Sequence, residues 1–314
     1  MRAGYCALPP NDYMLDYLPL ASEWLLFDMI EMATITLSTR LSGYQPQYFP
    51  RLHYFARMFN SDVFTISDYL QYVRKHVFTH KDGTECNGVS YQAHTPVKTH
   101  QSVGLLGIPI VRDRHPLIRD AKIDYSSPWY EKHLHIVRDS YRKAPYFSIR
   151  FPELEKMLME RQATLSDLSV STIAWALCVL FELPVGSRQQ NIDAVARILP
   201  HADFRLKKLV LLHEQLIPPP NKRLGRDANT WLIDQCKTFG ASEYYFGGTS
   251  AAAYMDFSRF SEAGIALVEQ DWHCKAYAQL YGDFVPNLSI IDLVMNVSPN
   301  EARSILQTAH TRAV

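Results

Sequence analysis

The sequence predicts a mixed α/β fold, helix-rich, on a mainly parallel, Rossmann-like sheet with a loop and short-strand excursion and helical additions. Three observations predict it. The alternating run Ala33-Thr34-Ile35-Thr36-Leu37-Ser38 is followed by a helical stripe at Leu52, Phe55, Ala56 and Phe59, then by Val63-Phe64-Thr65-Ile66; strand, loop, helix, strand is the order that sets neighbouring strands parallel. Residues 79–127 carry Gly83, Gly88, Gly104, Gly107 and several prolines, which punctuate a chain into loops and short strands. From Trp129 onward the apolar residues recur at helical spacing rather than alternating.

Taken in order, residues 1–31 read as an N-terminal extension, with a turn at Pro9-Pro10-Asn11-Asp12 and a short helix-like stretch through Trp24 and Phe27. A single α/β domain is expected over residues 32–314, its subregions separated near residues 217–226 by the stiff Pro218-Pro219-Pro220. Within the excursion, short strands are expected around Val89–His94 and Ile108–Val111. Helices are expected at Trp129–Arg142, at Phe151–Gln162 with Pro152 in its first turn, from Ser166 or Ser169 to Phe181, at Ala202–Leu216 and at Thr230–Phe239. Strands at Glu243–Phe246 and Ile265–Glu269 and helices at Leu288–Asn296 and Asn300–Thr308 complete the pattern.

Charge and cysteine usage narrow the partners. Lys and Arg number 32 against 32 Asp and Glu, so no global field recruits nucleic acid or an acidic membrane. The apolar stretch Met14–Leu37 is broken by Asp16, Glu23, Asp28 and Glu31, which argues against membrane insertion. The five cysteines are scattered, with no CxxC, a usage that fits reduced thiols and a cytoplasmic location. No metal-ligand spacing, P-loop or GxGxxG is present, so no cofactor is expected and neither nucleotide hydrolysis nor dinucleotide chemistry is supported.

The candidate site residues lie where strands end. Gln45, Pro46 and Tyr48 follow the first strand and precede a helix, the place where α/β folds bind ligands; a rigid turn before a capped helix is the plainer reading. Asp68 and Gln71 follow the second strand, where Asp68 could deprotonate an acceptor amine or cap a helix. Trp129 and His133 share one helix face at i,i+4 spacing, so His133 is a candidate general base, against a half-buried structural role. Tyr244-Tyr245-Phe246 runs into Gly247-Gly248-Thr249-Ser250, whose bare amides could hold an anion or simply start a helix. Gln279 and Tyr277 are candidate ligand contacts, while Ser289 and Asp292 read as a helix cap and a supporting carboxylate.

Four ordered blocks resemble the WbqC-like family of bacterial proteins: Gln45–Pro50 with Tyr54-Phe55; Trp129–His133 running to Tyr141–Phe147; Leu232–Gly247 with Cys236; and Tyr277–Asn296 with Gln279, Pro286 and Asp292. The match keeps Asp68, Gln71 and Tyr72 but continues Val73-Arg74-Lys75-His76 where the family has an Arg-Asn-Arg run. Tyr44 stands where the family often has histidine, and Arg51-Leu52-His53 where it has Trp-Gly. If those residues bind substrate in relatives, the departures imply altered specificity or reduced activity. The block contains Cys236, yet Leu232, Ile233, Cys236 and Phe239 form one helical stripe, which favours a core thiol over a nucleophile.

The family is associated with O-antigen and other surface-polysaccharide gene clusters, and a glycine transferase role has been suggested for it. The resemblance therefore implies a transferase moving an acyl or aminoacyl group, glycyl among them, onto an amino or activated sugar. Its partners would be a small-molecule sugar and an activated acyl donor, free or on a carrier protein. Catalysis would fall to His133 and Asp68. Substrate contacts would come from Gln45, Pro46, Tyr48, Gln71, Tyr72, Trp129, Tyr245, Gly247, Gly248 and Gln279. Two alternatives stand beside it: a nucleotidyl- or glycosyl-type transferase, signalled by a phosphate on the Gln45–Pro50 loop and Gly247-Gly248, and a non-catalytic assembly partner, signalled by an apolar surface in place of a cleft.

Overall fold

The sheet begins with Arg40–Tyr44 (β1), crosses over through Leu52–Phe59 (α1) and returns as Val63–Ile66 (β2), parallel to β1 with Leu41 opposite Val63 and Tyr44 opposite Ile66. The computed structural model describes residues 38–79, 85–215, 217, 219–220, 227–247, 255–307 and 311–313, all within one unit, Ser38–Val314. The predicted extension 1–31 lies outside the described residues, as does the strand expected at Ala33–Ser38 apart from Ser38.

After β2 the chain leaves the sheet for two antiparallel hairpins, Lys75–Thr79 (β3) with Glu85–Val89 (β4), and His94–Lys98 (β5) with Val103–Gly107 (β6). The excursion is therefore richer in strand than expected, with boundaries displaced from Val89–His94 and Ile108–Val111. Val97 and Leu106 are buried in the core and fix the second hairpin there. Four helices follow: Trp129–Tyr141 (α2), Phe147–Met159 (α3), Leu165–Leu180 (α4) and Arg188–Ile198 (α5). Thr164 caps α4 by accepting from the Asp167 amide, and Ser187 with Gln190 forms a capping box on α5. Apart from Asp167, α4 is buried on every side, as its nearly apolar second half requires. Pro152 falls inside α3 rather than in its first turn, because the helix starts at Phe147.

The chain re-enters the sheet as Lys208–Leu211 (β7), parallel to β2 with Val63 opposite Lys208. Residues 202–216 were expected to be helical, and this is a correction. The far edge of β2 offers unpaired backbone groups, and pairing there outweighs the weak helical spacing of the segment. The helix that precedes this segment, α5 at Arg188–Ile198, was not anticipated. Of the break near residues 217–226, residues 221–226 lie outside the described part.

Ala228–Thr238 (α6), capped by Asp227, leads to Glu243–Gly247 (β8), and Phe257–Glu262 (α7) to Ala266–Gln270 (β9). Ile290–Asn296 (α8), Pro299–Gln307 (α9) and Thr311–Ala313 (β10) close the chain. The sheet order is β10-β9-β8-β1-β2-β7. Its five inner-numbered neighbours from β9 to β7 are all parallel, and β10 alone is antiparallel. Read in chain order, this is the doubly wound 3-2-1-4-5-6 arrangement.

Strand alternation divides the core between the two faces. Phe64 and Ile66 join the large cluster with α1, α2, α4, α8 and α9. Leu41, Val63, Val210, Tyr244, Phe246 and Leu267 pack against α6 and α7 on the other side.

Candidate functional site

β1 has its sequence neighbour β2 on one side and β8 on the other, so the winding direction reverses between β1 and β8. A doubly wound sheet opens a crevice at the carboxyl ends of the strands flanking such a reversal. Here that crevice is a cleft of about 250 Å³. β1 supplies Gly43, Tyr44 and Gln45, β2 supplies Thr65 with Ser67 just beyond, and β8 supplies Tyr244, Phe246 and Gly247. One face of α6 adds Trp231 and Gln235, four residues apart, and α1 adds Arg57.

Arg57 is the sole charged residue among those lining this cleft. It lies in the last turn of α1, a helix whose residues are nearly all buried, and is itself only 7% exposed. Its guanidinium rests 4.5 Å above the Tyr44 ring, and Nε donates to Gln270 Oε1 at 2.8 Å. Among the described residues no carboxylate pairs with it, and neither terminal nitrogen makes a hydrogen bond. The guanidinium crosses so close to β8 that a Cβ on Gly247 would stand 1.5 Å from Nη2. Gly43 meets a like limit, since a Cβ there would stand 2.2 Å from Thr65 Oγ1.

The other polar groups here are mostly donors. Thr65 donates to Gln235 Oε1 at 3.1 Å, leaving the buried Gln235 Nε2 with no partner. Gln45 Oε1 accepts from the Tyr91 hydroxyl at 2.6 Å and from Gln92 Nε2, so the oxygen is engaged and the Gln45 amide nitrogen remains. A buried guanidinium and two unengaged amide groups, ringed by Tyr44, Tyr91, Trp231, Tyr244 and Phe246, match a ligand with an anionic or oxygen-rich end and a flat or apolar body.

The Gln45–Pro50 turn does not offer its backbone to this cleft. Tyr48 N donates to Gln92 O at 3.0 Å, Phe49 N to Thr172 Oγ1 at 3.1 Å, Leu52 N to Leu288 O at 3.1 Å and His53 N to Asn287 Oδ1 at 3.0 Å. The helix N-terminus that holds pyrophosphate in dinucleotide folds is thus occupied by the Asn287–Leu288 segment. The positive charge lining the cleft comes from a side chain, Arg57. Phe49 sits at φ 39, unfavourable for a bulky residue; its carbonyl is clamped by Thr95 Oγ1 at 2.6 Å and Ser289 Oγ at 3.1 Å.

Of the residues the sequence singled out, the cleft brings together Gln45 and Gly247. Gly248 lies outside the described residues. Pro46 is buried in the turn. Tyr48, Trp129 and His133 form an aromatic cluster in the core, with Tyr48 Oη 3.1 Å from His133 Nδ1. Burial lowers the His133 imidazole to about 4, against a raising hydrogen bond to the Gly107 backbone, so it is a neutral, weakly basic core group rather than a general base facing substrate. Tyr245 points to the face opposite Tyr244 and Phe246; it is wholly buried and its hydroxyl is pushed up to about 12 by burial. Gln71 is exposed, bonding His115 Nδ1 at 2.9 Å, and Tyr72 is buried beyond β2.

Asp68 is also buried and outside the cleft; it accepts from Ser166 Oγ at 3.0 Å, and His213 Nδ1 lies 2.6 Å from its Oδ2. Gln279 belongs to a network around Asp292: Tyr141 Oη donates to one carboxylate oxygen at 2.9 Å, and Tyr277 Oη and Gln279 Nε2 to the other at 2.6 and 2.8 Å. Gln279 Oε1 in turn accepts from Lys98 Nζ and the Val285 amide, which leaves it fully engaged. Asp292 therefore anchors its own loop, and it is Ser289, not Asp292, that reaches the first turn. The Cys236 thiol is fully buried and pushed up to about 12 by burial, as its helical stripe predicts.

Arg57, Thr65 and Gln235 were not singled out from sequence. A single arginine inside the apolar run Leu52–Phe59 was the available signal for the first. The β8 alternation that puts Tyr244 and Phe246 on one face was the signal for the cleft wall. Among the described residues no group of three His, Cys, Asp or Glu side chains is set to hold a metal ion, and no helix is long and apolar enough to cross a membrane.

Fold and cleft together define a doubly wound α/β protein with a cleft lined by a buried arginine at its switch point. The chain belongs to the WbqC-like protein family, which it matches over residues 45–304. It is similar to the "Uncharacterized protein Rv1507c" of Mycobacterium tuberculosis, 26% identical over 256 residues that cover 81% of this chain and 91% of the relative. No solved structure matches it.

Proposed function

We propose that the protein is a group transferase that binds an activated small molecule at the switch-point cleft. Its product would be an acylated or aminoacylated sugar, glycylated among them, for surface-polysaccharide or related biosynthesis. The observation that carries the reading is Arg57, a buried guanidinium in a ligand-sized cleft without a carboxylate partner among the described residues. A buried cation without a counterion is costly, and an incoming phosphate or carboxylate would offset that cost. Gln45 and Gln235 suit the remaining anion oxygens or sugar hydroxyls, while the aromatic walls suit the face of a sugar or base. The polar, concave lining favours a small-molecule site over an assembly surface.

A second reading, nucleotidyl or glycosyl transfer, is favoured by the placement of Arg57 against Gly247 and beside Gln45, since a phosphate there would touch both strand ends. One experiment separates the two. The wild-type protein is incubated with nucleoside diphosphate amino sugars, with and without acetyl or glycyl thioesters, and products are resolved by mass. A product heavier by the acyl group supports acyl transfer, and release of nucleotide without acylation supports the second reading. Neither product, together with no binding of any panel member, contradicts both.

A further inference from the structure

One titratable cluster lies outside the cleft described above. Asp68, just past the carboxyl end of β2, is 1% exposed. Its Oδ2 lies 2.6 Å from His213 Nδ1 and accepts from Ser166 Oγ at 3.0 Å, while its Oδ1 is buried without a hydrogen-bond partner. His213 follows the carboxyl end of the neighbouring strand β7 in a short 3₁₀ turn, and its side chain is one-third exposed. The imidazole lines a second cleft, of about 300 Å³, with Tyr69, Leu117, Arg119, Gln215 and Ile217. Glu214 Oε1 stands 4.0 Å from Nε2 and the Arg119 side chain borders the same space, its Nε 3.8 Å from Asp120.

The pair has the composition of the base-and-orienter half of a hydrolytic triad. With Asp68 Oδ2 2.6 Å from Nδ1, a neutral imidazole protonated at Nδ1 carries its lone pair on Nε2. Among the described residues no serine, threonine or cysteine bonds Nε2, so the pair is suited to activating an incoming nucleophile rather than one of the protein's own. The two clefts share a wall: Trp231 lines the first, Tyr69 lines the second, and Trp231 Nε1 lies 3.3 Å from Tyr69 Oη. β7 is two strands from β1, about 10 Å at the usual strand spacing, within the span of a sugar nucleotide.

Resting on the transferase reading, we propose that His213, oriented by Asp68, is the general base that activates the acceptor amine or hydroxyl. The acceptor lone pair attacks the carbonyl carbon of the activated acyl donor as its N–H or O–H proton passes to His213 Nε2. The bond from that carbon to the thiolate or phosphate leaving group breaks, the electron pair departing with it. The imidazolium then returns its proton to the leaving group or to water. Asp68 acts as a positioning residue.

Turnover and binding of the nucleoside diphosphate amino sugar and thioester pairs are compared for wild type, His213→Gln, Asp68→Asn and Arg57→Met. The ¹⁵N spectrum of the histidine side chains is recorded in parallel. His213→Gln is expected to lower kcat about 100-fold or more while changing the ligand Kd by less than about threefold. Asp68→Asn is expected to lower kcat and to shift His213 from the Nδ1–H to the Nε2–H tautomer, a change that a merely structural role would not produce. Turnover that survives His213→Gln, or a tautomer unaltered by Asp68→Asn, overturns the base assignment alone. Binding that survives Arg57→Met overturns the cleft assignment alone, and no turnover by wild type with any pair overturns both.

Discussion

Arg57 and Gly247 act as one unit, because the guanidinium occupies the space a Cβ would need. Gly247→Ala is therefore expected to push the arginine head off its perch on Tyr44 and weaken anion binding about tenfold or more. The side chain can swing toward solvent, so urea unfolding should register less than about 1 kcal/mol; equal affinity in the variant would contradict the coupling. His133 makes the opposite kind of prediction. The unfolded chain takes up its proton near pH 6.5, whereas burial holds the native imidazole to about 4. The unfolded state thus binds more protons between those values, and native stability falls as pH drops from about 6.5 to about 4, by at most about 3 kcal/mol for this residue. His53, also lowered to about 4, first by burial and then by Arg57, adds to the same slope. His133→Gln should flatten the pH dependence of the urea midpoint, and an unchanged slope would refute the assignment. At this scale sequence was informative about place and poor about direction. That Gln45 and Gly247 stand at strand ends beside the cleft was legible because strand ends are readable. His133 was misplaced because helical spacing puts it beside Trp129 without saying that the shared face turns inward.

The element that decides the site is the turn between β1 and α1, and it does not stand alone. Ser289 caps α8 through the Ile291 amide at 3.3 Å and bonds Phe49 O at 3.1 Å, so one hydroxyl serves a helix start and a strained turn. Ser289→Ala should cost about 1–2 kcal/mol. Asp292→Ala should cost more, about 3 kcal/mol or above, since it strips the acceptor from two buried tyrosine hydroxyls and the Gln279 amide. Chemical denaturation of both variants checks the order, and a milder loss for Asp292→Ala would contradict it. The capping role of Ser289 was legible in sequence, as were α2, α4, α6, β8 and β9, whose patterns are long or sharply bounded. β7 was not, because a four-residue edge strand is specified by the partner waiting for it rather than by its own residues.

At the scale of the whole molecule, the two clefts described above lie along one edge of the sheet, at the carboxyl ends of β1, β2, β7 and β8. That placement follows from topology, and the parallel order of the first two strands already implied it. What sequence could not supply was the position of β8 beside β1, which creates the reversal. The described unit begins at Ser38, so a chain starting at Met32 is expected to remain folded, with a thermal midpoint within a few degrees of the full chain; loss of soluble protein would contradict this. Arg57 is the proposed anion anchor of the switch-point cleft, and calorimetric titration of wild type and Arg57→Met with nucleoside diphosphate amino sugars and with acyl thioesters tests it. At least one of these is expected to bind wild type and to lose about 10-fold to 100-fold in affinity in the variant. Affinity retained within about twofold would contradict it.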